Sequence, residues 1–392
     1  MAAPGAWFVF GFEGADEPPR GPDTGTAAPR ALPLPPGGVR ALRPGWDCVV
    51  IVTGSGAAVL RGGAGAALPG GCRDAVPGEG HVLLVLEAAL EARSWAALRG
   101  AGAGAEERAP AWRRPLPPAA PAPALPLVPG GFAAPRAPFF WPLPARLRAR
   151  RLALGLEHAL LLGAAGLVYT WGSSRHGQLG HGGLQAEQEP RVLEALQGLP
   201  VADVAAGGWH SACVSGRYGP SPARGQPRPQ PHGRPLAVPA DAGDLYVWGW
   251  NASGQLALPC KALARERRAA ADGPPGAGAA AGDSVPSPGA HQAAAGGHFI
   301  SIQAFPALLD LPRGAEVRQV NCGSRHTAAV TRQGELYTWG WGKYGQLGHG
   351  DRASSDQPRV VAYFPANGLR VEEVVCGPWT TYVRAAEKGE PS

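Results

Sequence analysis

Between Cys322 and Gly350 the alternation of polar and apolar residues predicts two short strands followed by glycine turns. Thr327, Ala329 and Thr331 alternate with Ala328, Val330 and Arg332 at the two-residue period of a pleated segment. Gln333-Gly334 then marks a tight turn, since glycine takes positive φ without a steric penalty. Glu335-Leu336-Tyr337-Thr338-Trp339 returns as a second strand, rich in aromatic and β-favouring residues. Gly340, Gly342, Gly345, Gly348 and Gly350 carry the chain through compact loops.

The same unit recurs. His158 precedes Trp171 by thirteen residues, as His326 precedes Trp339. Pro190 follows Trp171 by nineteen residues, as Pro358 follows Trp339. A third copy contains Gly207-Gly208-Trp209-His210, Asp244–Trp250 and Gly254-Gln255-Leu256, and is lengthened by two insertions of 25 and 39 residues. Degenerate copies begin at Gly45, with Cys48 in the histidine slot, and at Trp7, with Phe10 in the tryptophan slot. At the C-terminal end, Cys376–Val383 reads as a first strand without its second; near the N-terminus, Trp7–Phe12 reads as a second strand without its first. The two complete one another, which predicts an all-β, closed β-propeller of four-stranded blades of about 50 residues, its N- and C-terminal strands sharing one blade. Five blades are legible, and six or seven fit the length.

Residues 1–392 thus read as a single propeller with insertions. Residues 62–137 read either as a degenerate blade, using His81–Leu86 and Arg93–Leu98, or as a Pro-rich disordered loop. Residues 217–241 (Pro/Arg-rich) and 259–297 (Ala/Gly-rich) read as flexible surface loops.

Composition adds constraints rather than chemistry. The net charge of +6 comes almost entirely from arginine, the only lysines being Lys261, Lys343 and Lys388. Basic runs at Arg146, Arg148, Arg150 and Arg151, and at Arg265, Arg267 and Arg268, fit phosphate or import-factor contacts, or simply a solvated face. Cys322 and Cys376 precede the strand-opening glycine, where sister copies have Ala206 and Leu154, so they are expected as buried apolar residues. The opening residues lack a signal-peptide pattern and no apolar run reaches the ~18 residues of a membrane span, so an intracellular chain is expected.

No P-loop lysine, nucleophile elbow, paired-acid constellation or zinc-spaced ligand set is present, so neither enzyme activity nor a cofactor or metal is expected. His158, His210 and His326 share one slot in successive blades, too far apart to hold one ion. Each is expected to hydrogen-bond backbone within its own blade, and Trp171, Trp248 and Trp339 to fill inter-blade core. What differs between copies is the surface of the loops after each Trp-Gly, together with the residue before the histidine at Arg325. Arg175, His176, Trp250, Arg325, Trp341, Lys343 and Tyr344 are therefore the candidate partner-binding residues, aromatic and basic groups suited to protein or acidic-surface recognition. The other reading of Trp250 and Trp341 is that they cover the next blade.

The combination of GxxH[ST], LYxWG and GQLG, at 177–180 and 345–348, resembles the regulator of chromosome condensation family of β-propellers. Resemblance to that family, and to a small divergent member of it, implies a chromatin-associated protein in the nucleus and on chromosomes, with a cytoplasmic pool left open. It implies as partner a JmjC-type histone demethylase, in repression of repeat or centromeric chromatin and in chromosome segregation. The family's founding member implies the alternatives: a guanine nucleotide exchange factor for a Ran-like GTPase, or a propeller that binds histones or nucleosomes directly. Membrane contact is not implied, and direct DNA contact is left open.

Overall fold

Strands that are apolar on both faces need neighbours on both sides, and a ring of radial sheets supplies them. In the computed structural model, which describes residues 5–12, 27–34, 38–46, 48–54, 56–61, 64–69, 71–99, 109–117, 125–216, 243–271 and 298–388, the strands form seven antiparallel sheets. Each sheet is one blade of a propeller. Blade 1 spans residues 39–67, blade 2 spans 74–115, blade 3 spans 127–142, blade 4 spans 149–192, blade 5 spans 201–309 and blade 6 spans 317–360. Blade 7 combines Leu369–Cys376 and Thr380–Glu387 with Ala6–Gly11 and Arg30–Ala31. Among the described residues all have four strands except blade 3, which has three.

The ring closes in register. Ala6–Gly11 pairs antiparallel with Thr380–Glu387, and Phe10 lies opposite Thr381 as Trp339 lies opposite Thr327. Two strands from opposite ends of the chain therefore lie side by side, which leaves no open edge at the seam.

Among the described residues the apolar core divides into seven clusters, one between each pair of neighbouring blades. The strand His158–Gly163 shows why. Leu160 and Leu162 point toward blade 5, while Ala159 and Leu161 point toward blade 3. Such a strand is apolar at every position rather than at alternate ones, which is how HALLLG reads. The first strands of successive blades pack against one another and form the innermost layer. Polar side chains stitch that layer: Arg151 of blade 4 meets Asp203 of blade 5 at 2.5 Å, and Asp203 accepts from Val320 N of blade 6 at 3.3 Å.

The region 62–137 contains blade 2 and most of blade 3. His81–Val85 is a strand, but Arg93 and Ser94 end one and Trp95–Arg99 continues as a helix. Blade 2 keeps a histidine, His81, in the slot three residues after Gly78, but it has Arg93-Ser94 in place of Trp-Gly. The His81 ring meets Phe139 of blade 3 at 5.1 Å rather than a hydroxyl, so the strands of blade 2 show only as short apolar runs. Cys322 is buried and Cys376 half-buried, both as free thiols. The insertion 217–241 lies outside the described residues, as does 272–297.

The start of the Ala/Gly-rich insertion is not a loop. Lys261–Ala271 (KALARERRAAA) forms an α-helix, α1, as expected of a run made wholly of strong helix formers. Reading the insertion by its Ala and Gly content merged this segment with the glycine-rich stretch beyond it. No helix among the described residues is long and apolar enough to cross a membrane.

Candidate interaction face

The repeat motif builds a latch between blades. His158 Nε2 lies 2.9 Å from Ser211 Oγ in the next blade, His210 Nε2 lies 2.9 Å from Thr327 Oγ1, and His326 Nε2 lies 3.0 Å from Thr381 Oγ1. Each hydroxyl in turn donates, at 2.8 Å, to the carbonyl of Gln178, Gln255 or Gln346, the glutamine of the preceding blade's Gly-Gln-Leu turn. Trp248 and Trp339 donate their Nε1 protons to the Gln178 and Gln255 carbonyls at 2.9 Å. The expectation that each histidine bonds backbone in its own blade is thus corrected: the ring nitrogen reaches a side chain one blade on. Reach and packing explain it, because the ring folds back over the glycine three residues earlier and aims across the interface. A Cβ on Gly155, Gly207 or Gly323 would lie 2.0–2.3 Å from the histidine Cε1. Burial lowers the pKa of His158 and His210 to about 3 and that of His326 to about 4, which keeps all three neutral.

Trp248 and Trp339 are fully buried between blades, as expected, but Trp171 is only half-buried. Its neighbour is the three-stranded blade 3, where Phe132 meets it at 5.9 Å. His181 and His349 bond Thr170 and Thr338 at 2.9 and 3.0 Å within their own blades. In blade 5 the corresponding pair is Val247 and Leu258, both apolar.

Above the latch, one face of the ring carries the variable residues. In four blades the residue after the Trp-Gly slot donates its N–H to the carbonyl of the residue in the slot before the histidine, Ser173 to Glu157, Trp250 to Trp209, Trp341 to Arg325 and Phe12 to Trp379, at 2.8–3.1 Å, and in blade 2 Trp95, after Arg93-Ser94, donates likewise to Gly80 at 3.3 Å. In the first four a glycine stands between. Gly172, Gly249, Gly340 and Gly11 have φ of 105–114°, and a Cβ there would lie 2.4–2.6 Å from that carbonyl oxygen. The bend brings two variable side chains from each blade to the same face.

This face carries an aromatic belt in two clusters, one over blades 4 to 6 and one over blades 6, 7 and 1. The His176 ring stacks on Trp250 at 5.2 Å and meets Trp209 at 6.2 Å, while Trp209 and Trp250 pack edge-to-face at 5.3 Å. The Arg325 guanidinium lies over the Trp250 ring at 4.9 Å. Trp341 then contacts Tyr344 at 4.8 Å and Trp379 at 5.1 Å. Phe12 extends the cluster against Tyr344 at 5.1 Å, and Trp46 extends it against Trp379 at 5.7 Å.

Six of the seven candidate residues, all but Arg175, therefore belong to this belt or its border. Arg175 is exposed in the loop beside His176. Lys343 pairs with Glu266 of α1 at 3.0 Å. Trp250 and Trp341 do cover the next blade, through Arg325 and Trp379, while Tyr344 remains 40% exposed. Sequence reasoning missed Trp209, Trp379, Trp46 and Phe12. A signal was there, since Trp209 and Trp379 occupy the variable slot that singled out Arg325.

Regulator of chromosome condensation (RCC1) repeat models match residues 165–214 and 333–383, and a second such model matches 317–346. The chain is 47% identical to human RCC1 domain-containing protein 1 over 99% of its length and 98% of the relative's. This chain belongs to the RCC1 repeat family. The mouse RCC1 domain-containing protein 1 is 51% identical over 67% of this chain and 63% of its own length. Among solved structures, Prp20p from Saccharomyces cerevisiae superposes with a TM-score of 0.64, at 14% identity, over 99% of this chain and 92% of Prp20p. That likeness is one of fold. The RCC1 signature in this chain is the latch, and the belt above it is built from the positions that the signature leaves free.

Proposed function

We propose that this RCC1-repeat propeller is a non-enzymatic interaction platform in the nucleus, associated with chromatin, that recruits a JmjC-type histone demethylase for repression of repeat or centromeric chromatin and for chromosome segregation. The observation that carries the platform reading is the belt. Eight aromatic rings and one arginine, grouped over five blades, form the Trp-, Tyr- and Arg-rich surface that protein interfaces favour. The histidines that a hydrolytic or metal reading would use are buried in latches, away from this face. Resemblance to the small divergent member of the family supports the demethylase as the partner.

Prp20p has been characterised for its binding to Gsp1p and histones, which makes exchange on a small GTPase the reading to test against. The test is GDP release from a Ran-like GTPase by the purified chain, run beside chromatin fractionation of cells expressing it. The platform reading expects basal GDP release and retention in the chromatin fraction. Robust stimulation of release, or a wholly soluble distribution, would overturn it.

A further inference from the structure

Helix α1 presents a cationic stripe that the fold does not use. Lys261, Arg265 and Arg268 stand at positions i, i+4 and i+7, one line along the helix about 10 Å long at 1.5 Å per residue. All three are exposed, and among the described residues none carries an ion pair. The opposite side of the helix is docked. Leu263 is buried, Arg267 bonds the Asp356 carboxylate at 2.8 and 3.2 Å, and Cys260 N donates to the same carboxylate at 3.0 Å. Glu266 is held by Lys343 at 3.0 Å, which fastens the helix beside the loop that carries Trp341 and exposed Tyr344.

Resting on the platform reading, we infer that this stripe and the adjoining rings form one docking surface for an acidic segment of a protein partner. Carboxylates of the segment pair with Lys261, Arg265 and Arg268, and an apolar residue of the segment seats against the exposed edge of Tyr344. Charge complementarity sets the partner's sign, because a fixed helix holds three unneutralised cations in line. The ring geometry favours protein over nucleic acid. Trp341, Tyr344 and Trp379 pack edge-to-face at 4.8–5.9 Å, so their faces are taken up by one another rather than offered to stacking bases. The cations also lie on a single short line, not along a groove that could follow a phosphate backbone.

The test uses the purified full chain and two probes: a fluorescent twelve-residue Glu/Asp peptide containing one Trp, and a 20-base-pair DNA duplex. The wild-type chain is expected to bind the peptide more tightly than the duplex. K261E/R265E/R268E should weaken peptide binding at least about tenfold, as three exposed ion pairs would, with the melting temperature unchanged. W341A/Y344A should weaken it while leaving the dependence on salt. Undiminished peptide binding by the triple variant, no peptide binding by the wild type, or tighter binding of the duplex would each overturn the inference. Chromatin fractionation of the triple variant separates this result from the platform reading. Retention with peptide binding intact leaves the platform standing without the stripe, whereas loss of retention in the wild type removes the platform itself.

Discussion

His210 and Thr327 are 117 residues apart in the chain, yet His210 Nε2 lies 2.9 Å from the Thr327 hydroxyl across the boundary between blades 5 and 6. Thr327 passes the connection on to the Gln255 carbonyl, which also accepts from Trp339. One buried hydroxyl thus joins a histidine, a turn and a tryptophan from two blades. Removing it as Thr327→Val leaves the His210 nitrogen and the Gln255 carbonyl short of a partner at nearly unchanged volume. Urea denaturation should show a loss of about 1–3 kcal/mol. Thr327→Ser keeps the hydroxyl and should lose less. No loss in Thr327→Val beside a full loss in Thr327→Ser would mean that the methyl group, not the hydrogen bond, matters at this position.

Acid should weaken the ring through the same histidines. Burial lowers the folded-state pKa of His158 and His210 to about 3 and of His326 to about 4, against an ordinary 6.5. A group whose pKa is depressed on folding contributes its full stability above the unfolded value and loses it as protons bind the unfolded chain first. Stability should therefore be flat in this respect above pH ~6.5 and decline progressively between about 6.5 and 3. Replacing His210 with Gln should flatten that slope. An unchanged pH dependence of melting in H210Q would show that His210 does not titrate on unfolding.

The glycine of Trp-Gly is a steric requirement. Gly340 has φ of 105°, and a Cβ there would lie 2.5 Å from the Arg325 carbonyl oxygen. Gly340→Ala should cost about 1–3 kcal/mol and displace Trp341 from Trp379, seen as a change in near-ultraviolet circular dichroism. A variant with unaltered stability and spectrum would refute this placement.

Asp356, only 6% exposed, holds α1 through Arg267 and Cys260 N. Asp356→Ala should speed amide hydrogen exchange across 261–269 while leaving the strands of blade 6 protected. Protection of the helix unchanged in this variant would show that Leu263 suffices to dock it.

Much of the architecture was legible because the ring repeats its own chemistry. The spacing of His, Trp, Gly-Gln-Leu-Gly and Pro located blades 4 to 6, and the complementary half-blades at the two ends announced closure, which the pairing of Phe10 with Thr381 shows. Blades 2 and 3 were obscured because their interfaces use plain apolar contacts, such as Leu83 and Leu90 against Leu125 and Phe139, with no latch to recognise. The role of the histidines was misread because a hydrogen bond across an interface leaves no trace in the spacing within one repeat. The interaction face was half visible. Variable residues in the loops after Trp-Gly were found, but the belt also depends on the slot before the histidine, where Trp209 and Trp379 join blades only in three dimensions. Helix α1 was hidden by averaging its composition with the segment that follows.

The most direct test of the account is whether the belt face captures the partner. Tagged wild-type chain, W250A/W341A/Y344A on the belt face, and Q333A at the turn on the opposite face would be expressed at equal levels and recovered from nuclear extract, with folding verified by melting. Immunoblotting would then measure the co-purified JmjC-type demethylase and histones. The account predicts equal recovery of the demethylase by the wild type and Q333A, and its loss from the belt variant. Equal recovery by all three, or loss only in Q333A, would contradict it.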